Sequence, residues 1–294
     1  MIPTRRSLVQ PDALARVVGA AYGLAVGGCV LLRSLVNDVY ELRAGRDRYA
    51  LKLYLNGHRD RAAVDWEIEL ADRIAAAGVP VATAVGPAGL VDCPEGERAY
   101  ALWHWVPGAR PSPPFSDPLY QDFGRAAARL HEAALGFRPR LAPAADPEPV
   151  YPYLEPDDRE QLRRLVAAAE ARLAGAELEI GVRHGDLTLD NVHRDGAGFW
   201  FYDLDLAHTG PLVTDLVGVA NTPQWPAFLT GYREVRPLPD VEIELLGWLA
   251  VGELVQHLRF HYVDKPSWQG TESLRDGWAQ QNLDTLRRLA TMVR

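Results

Sequence analysis

The stretch from Val182 to Asp205 constrains this chain more than any other. It reads Val-Arg-His-Gly-Asp-Leu-Thr-Leu-Asp-Asn-Val through position 192, and Phe-Trp-Phe-Tyr-Asp-Leu-Asp from 199 to 205. Short apolar runs on either side of a glycine-containing turn at Asp195 to Gly198 predict a loop, a strand, a tight turn and a second strand. Such a hairpin gathers Asp186, Asn191 and Asp203 at one end. Asn191 and Asp203 offer hard oxygen ligands, which suit Mg²⁺ rather than Zn²⁺. Asp186, five residues before the amide, is left to accept a proton from a hydroxyl. One carboxylate for the nucleophile, with an Asn and an Asp for the metal, is the division of labour that phosphoryl transfer requires.

His184-Gly185-Asp186 with Asn191 five residues on resembles the catalytic loop of the aminoglycoside phosphotransferase and choline kinase family. Asp203, twelve residues after Asn191, falls where that family keeps a metal-binding Asp. Asp215-Leu216, in a segment opened by Gly210-Pro211, resembles a downstream Asp-Leu element of the family. The resemblance covers nearly the whole chain, and its specificity lies in the combined spacing. It implies an α+β, two-lobed, protein-kinase-like fold. Residues 1–103 would form a small antiparallel-sheet nucleotide lobe, and residues 104–294 a mainly helical catalytic and acceptor lobe.

Composition narrows the class. With 294 residues, 48% hydrophobic and 24% charged, the chain is long enough for one large domain or two lobes and reads as a soluble globular protein. A formal charge of -8 argues against a nucleic-acid partner. Two distant cysteines, Cys29 and Cys93, show neither a disulfide framework nor metal spacing, which fits a reducing, cytoplasmic setting. Arg5-Arg6 ahead of an apolar run imitates an export signal, but Arg16 interrupts the run and Leu14, Val17 and Val18 have helical spacing. No stretch has the roughly 20 apolar residues of a membrane span.

Along the chain, residues 11–22 and Asp60 to Ala77 read as helices. Strands are expected at Cys29 to Leu35, Asp38 to Leu42, Arg48 to Leu55, Val81 to Val85 and Arg98 to Trp105. Past the proline-rich run from Pro111 to Pro118 the pattern turns helical. Helices are expected at Asp117 to Leu135, Pro156 to Ala174, Leu212 to Ala220, Trp225 to Tyr232, Pro239 to Tyr262 and Thr271 to Val293, with an exposed loop at Ala142 to Tyr153.

Lys52, in Tyr49-Ala-Leu-Lys52, stands out because the chain otherwise uses Arg and has one other lysine, Lys265. On a strand it reads as a phosphate-binding lysine of the Ala-x-Lys type. The resemblance implies a partner Glu on the next helix, with Glu67 the matching position and Glu69 the fallback. It places a phosphate-covering turn at Leu32 to Val39, where Ser34 and Asn37 can offer hydroxyl and backbone N–H groups although the turn itself has no glycine. It makes Trp103 to Val106 the segment that reads the nucleotide base, with Trp103 and Trp105 stacking there or filling core. His184 is implied to orient its loop rather than to act as base, and His131 to be structural. Asp205 is a third carboxylate, suited to a second Mg²⁺ or a cationic group of the acceptor. The acceptor pocket would draw on Asn221, Trp225, Glu253, His257, His261 and Trp268.

The reaction expected is transfer of the γ-phosphoryl of ATP or GTP to a hydroxyl of a small molecule, antibiotic or metabolite. Asn37-Asp-Val-Tyr-Glu-Leu and Phe228-Leu-Thr-Gly-Tyr resemble the homoserine-kinase-type and stress-response-kinase branch. A Ser/Thr protein kinase is one alternative, lowered because no activation segment ending in Ala-Pro-Glu is present. A nucleotide-binding pseudokinase is the other, opposed by the joint presence of Lys52, Asp186, Asn191 and Asp203.

Overall fold

The computed structural model describes residues 2–142, 145–196 and 198–293. Ala197 of the expected hairpin turn, and Pro143 and Ala144 of the expected loop, lie outside them. The chain opens with helix α1 (Pro11–Tyr22) and strands β1 (Val26–Ser34), β2 (Asp38–Ala44) and β3 (Asp47–Leu53). Helix α2 (Arg61–Ala76) follows, capped by the Asp60 carboxylate, which accepts from the Ala63 N–H at 2.8 Å. Strands β4 (Gly89–Cys93) and β5 (Gly96–His104) complete a five-stranded antiparallel sheet of order β1-β2-β3-β5-β4. The strand at Gly89–Cys93 was not anticipated, because its alternation is short and sits beside Pro94.

The expected strand at Val81 to Val85 is instead an extended connector. Val81 bridges Phe201 and Ala84 bridges Trp103. The Ala82 N–H donates to the Phe201 carbonyl at 2.8 Å, and the Val85 N–H to the Leu102 carbonyl at 2.8 Å. Residues 81–82 thus bond to Phe201 and residues 83–85 to β5, and no single partner completes a ladder.

The larger lobe is mainly helical. It holds α3 (Asp117–Ala134), α4 (Pro156–Leu173), α5 (Val217–Ala220), α6 (Trp225–Val235), α7 (Asp240–Glu244) and α8 (Leu246–Arg259). Then come α9 (Lys265–Trp268), α10 (Glu272–Arg275) and α11 (Trp278–Leu289). Two small antiparallel pairs are inserted: β6 (Ile180–Arg183) with β9 (His208–Pro211), and β7 (Val192–Asp195) with β8 (Gly198–Phe201). The β6–β9 pair was not anticipated, since its partners are 25 residues or more apart in sequence.

Helices α3 and α6 pack so closely that a Cβ at Gly124 would meet the Phe228 carbonyl oxygen at 2.1 Å, and one at Gly231 the Gln121 carbonyl oxygen at 1.9 Å. Phe123, Phe201, Phe228 and Tyr232 fill the core at and beside this contact. A second core joins α4, α8 and α11 through Leu162, Leu165, Leu254, Leu258 and Leu286. A third lies between α1 and the sheet.

The two long C-terminal helices that were expected are broken. Pro239 to Tyr262 divides at Leu245, and α8 runs into a π-helical turn at Phe260–Asp264 before α9. Pro266 follows immediately; it has no N–H to give and crowds the carbonyl four residues back, so the widened turn accommodates it. The second helix divides at Asp276–Gly277, where Gly277 takes φ 83°. Among the described residues no helix is long and apolar enough to cross a membrane.

Candidate active site

The site lies between the sheet and the β7–β8 hairpin, and β3 provides its lysine. The register pairs Lys52 with Val39 on β2 and with Ala101 on β5. Lys52 is therefore on a central strand and buried, its side chain 7% exposed. Its ammonium donates to Asp203 Oδ1 at 2.5 Å and lies 3.3 Å from Asp205 Oδ2 and 3.5 Å from Glu67 Oε1. It also stands 4.9 Å from the centre of the Tyr54 ring. Burial works against its charge, but three carboxylates outweigh it and hold the ammonium well above the ordinary lysine range.

Glu67 is buried in the body of α2, where Oε2 accepts from the Tyr54 hydroxyl at 2.8 Å. Burial pushes its pKa up to about 7 although Lys52 pulls it down. Glu69, two residues on, points to the surface and pairs with Arg138 at 2.8 Å, so Glu67 is the one that meets Lys52.

Asp203 closes β8 in a left-handed conformation, φ 66°. For a residue with a Cβ this is a strained turn state, and it aims the carboxylate at β3. Oδ1 takes Lys52 and Oδ2 accepts from Arg33 at 2.8 Å. Burial pushes its pKa up, but the two cations prevail and bring it to about 2. Asp205, buried in the short helical turn that follows, accepts from the Asn37 amide at 2.7 Å.

The loop that carries Asp186 is fixed from below. Asp215 accepts from the His184 N–H at 2.6 Å, the Gly185 N–H at 2.9 Å and His131 Nε2 at 3.1 Å. His131 in turn bonds the Tyr232 hydroxyl through Nδ1 at 2.8 Å. Burial raises the Asp215 pKa, but His131, with Arg183 and His184 nearby, holds it well below the ordinary carboxylate range. Gly185 has φ 83°, and a Cβ there would meet the Leu206 carbonyl oxygen at 2.2 Å, so the loop's sharp turn needs glycine. His184 is buried, with Nε2 3.2 Å from the Tyr202 carbonyl; its contacts are with the backbone of this region.

Asp186 emerges from this braced turn. Its Oδ2 accepts from the Asn191 amide nitrogen at 2.7 Å, and the same nitrogen reaches the Asp186 carbonyl at 3.0 Å. Among the described residues no lysine or arginine pairs with Asp186. Burial raises its pKa, only partly offset by Asn191 and by His184 and His257. With its nitrogen committed to Asp186, Asn191 keeps its carbonyl oxygen for a cation.

Other expected residues divide. Ser34 gives its hydroxyl to Asp38 at 2.6 Å and accepts from Arg6 at 2.9 Å, so it faces the β2 start. Asn37 is spent between Asp205 and the Leu55 N–H, which donates to it at 3.1 Å. Both side chains brace the turn; any phosphate contact from Ser34 or Asn37 is left to their backbone N–H groups. Trp103 is buried opposite Ala50, and among the described residues its indole N–H has no partner. Trp105 is half-buried beneath the Arg48 guanidinium, 4.0 Å from its ring. Trp225 stacks on Phe228 at 5.9 Å, among residues of the α3–α6 core. His257, exposed on α8, lies close enough to Asp186 to lower its pKa. His261 sits in the π-helical turn, where burial, His257 and Lys265 lower it to about 4. Trp268 packs between His58 and Phe260.

Three participants escaped sequence reading: Tyr232, Tyr54 and Arg33. Tyr54 lies two residues past Lys52, on the same side of the strand, and that spacing is the one available signal.

Asp203 and Asp205 share Lys52, and Asn191 is bonded to Asp186, which feels the charge of Asp203; these all-oxygen donors have the chemistry that fits Mg²⁺. Among the described residues no group of three or more His, Cys, Asp or Glu side chains is arranged to hold a metal by itself. Mg²⁺ does not require one, because it is commonly held by one or two carboxylates together with phosphate oxygens and water.

A strand lysine paired with a helix glutamate, facing an Asp-Asn loop and the Asp that follows a hairpin, is the arrangement of a kinase-like phosphotransferase. The comparisons agree. The phosphotransferase enzyme family matches residues 30–241, and the chain belongs to it. An uncharacterised protein of Deinococcus radiodurans is 32% identical over 83% of this chain and 80% of its own length. An uncharacterised protein of Synechocystis sp. is 29% identical over 47% of this chain and 40% of its own. Among solved structures, a microcompartment-associated aminopropanol kinase superposes with a TM-score of 0.73 at 18% identity, covering 95% of each chain. A spectinomycin phosphotransferase bound to ADP and spectinomycin gives 0.70 at 12% identity, covering 96% of this chain and 99% of its own. An amicoumacin kinase bound to AMP-PNP, Ca²⁺ and its antibiotic gives 0.68 at 17% identity, covering 94% and 96%. At these identities the structures bear on the fold alone.

Proposed function

We propose that this protein is a Mg²⁺-dependent O-phosphotransferase that moves the γ-phosphoryl of ATP or GTP to a hydroxyl of a small molecule, antibiotic or metabolite. The observation that carries the reading is Lys52, which reaches from the sheet to Asp203 on the catalytic hairpin while Glu67 holds it from behind. Residues 1–103 carry the nucleotide, and residues 104–294 carry the catalytic loop and the acceptor. The backbone of Trp103 to Val106 reads the base.

Lys52 meets the nucleotide phosphates as a point charge, and its tether to Glu67 keeps it in place when Asp203 takes another partner. Asp203 and Asn191 hold Mg²⁺, with Asp205 beside them; the ion supplies charge neutralisation at the phosphates. Asp186 orients the acceptor hydroxyl and takes its proton. Its raised pKa suits that task, because a carboxylate without a cationic partner is a better proton acceptor. His257 and His261 line the approach to Asp186 from α8 and the π-helical turn. The named acceptors of the structural neighbours support a small hydroxylated molecule. A reducing compartment suits the two free cysteines.

The test is a screen of hydroxylated antibiotics and metabolites with ATP or GTP, read by mass spectrometry. A product heavier by one phosphate, formed by wild type and not by Asp186→Asn, supports the proposal. Products that form equally with both variants refute the assignment of the base.

A further inference from the structure

The β1–β2 turn has no glycine to let backbone approach a phosphate closely, and its two obvious polar side chains, Ser34 and Asn37, are turned to other work. Arg33 is different. The ladder between β1 and β2 pairs Leu31 with Tyr40 and then Arg33 with Val39, skipping Leu32. That one-residue bulge switches Arg33 to the face it would otherwise turn from. Because Val39 pairs with Lys52, Arg33, Val39 and Lys52 stand in one row across three strands. Bulges of this kind re-aim a side chain, and they are common beside active sites. The guanidinium then reaches across to Asp203 Oδ2 at 2.8 Å, a contact spanning 170 residues of sequence.

Two cations thus share one carboxylate, and they differ. Lys52 is 7% exposed and held by three acids; Arg33 is 48% exposed and, among the described residues, pairs with no other acid. An exposed ion pair of this kind is weak and exchanges partners readily. A metal–nucleotide that engages Asp203 competes with Arg33 first.

Resting on the phosphotransferase reading above, we propose that Arg33 is a phosphate-binding residue held in reserve on Asp203, which moves to the terminal phosphate of the donor when Asp203 is taken. Its fork of donors supplies the contacts that a glycine-rich loop would give through backbone N–H groups.

Calorimetry on the full chain with Mg²⁺ tests this without turnover. Mg·AMP-PNP and Mg·GMP-PNP are compared with Mg·ADP and Mg·GDP, for wild type, Arg33→Gln and Arg33→Lys. The expected result is that Arg33→Gln weakens the triphosphate analogue roughly tenfold, the size of one charge-assisted contact, and the diphosphate far less. Arg33→Lys recovers part of the loss. Equal weakening of both nucleotide classes, or no change, overturns the role at the terminal phosphate. Tighter binding of both by Arg33→Gln overturns it in favour of simple occlusion of Asp203. If wild type binds none of the four, the phosphotransferase reading fails and takes the proposal with it; if wild type binds and only the Arg33 pattern is wrong, that reading stands.

Discussion

Asp203 sits among cations that other ligands can replace, whereas Asp215 sits among donors that nothing replaces. Both carboxylates are pulled below their ordinary pKa against the push of burial. Around Asp203 the partners are side chains from the opposite lobe, Lys52 and Arg33, one of them half exposed. Around Asp215 they are two backbone N–H groups and a buried histidine, itself tied to Tyr232. Side chains can leave and return, but loop backbone cannot leave without the loop unfolding. The first centre is therefore suited to exchange and the second to permanence, though the residue at the heart of each is the same.

The largest effect should come from the permanent centre. Asp215→Ala leaves three buried donors unmet and should cost about 3 kcal/mol or more of stability, read by chemical denaturation. A loss confined to activity, with stability unchanged, would erase the distinction between the centres.

Asp203→Ala should cost less stability than Asp215→Ala and abolish Mg²⁺-dependent nucleotide affinity in calorimetry, with Asn191→Ala weakening it. Unchanged affinity in Asp203→Ala would move the metal elsewhere. The pH dependence has a definite sign. The folded pKa of about 2 lies below the ordinary 3.8, so the Asp203 contribution is present above pH 3.8 and is lost as pH falls towards 2. Asp203→Asn should flatten that part of the stability curve.

Asp186 belongs to neither centre. Asp186→Asn should keep fold and nucleotide affinity while lowering kcat by roughly 10²-fold or more. In wild type, kcat should rise with pH through a value above the usual Asp range, because the base must be ionised. A wild-type profile flat from pH 4 upwards would speak against the role.

The smallest effect tests coupling inside the exchangeable centre. Lys52→Arg, though it conserves charge, should lose most activity, because a wide planar fork does not fit among three acids; Lys265→Arg should not. Combined with Glu67→Ala, the loss should be less than the product of the single losses. Strictly independent losses would break the pair.

What sequence could reveal follows the same line. The spacing of Asp186, Asn191 and Asp203 is local, and a hairpin converts it into proximity by itself. Lys52 was visible because lysine is scarce in the chain. Glu67 was reachable because it is nearly two helical turns into the helix that follows. Asp215, found as a motif, did not reveal its partners His131 and Tyr232, which lie 84 residues before it and 17 after it. Arg33 was hidden by a bulge, which reverses the face of every residue beyond it and leaves no mark in composition. The polar turn residues Ser34 and Asn37 had the right chemistry for phosphate, but close acids, Asp38 and Asp205, claimed their side chains.

The connector between residues 80 and 85 bears on how the lobes can move. It is stitched to β8 at one end and to β5 at the other, so it forms a second crossing between the lobes beside the covalent one at Val106. A single crossing is a point, about which a body can turn in any direction. Two crossings define a line, and rotation about that line is the motion that strains neither. The sheet that carries Lys52 and the turn that carries Asp203 are thereby tied from two places, and the register between them does not hang on one segment.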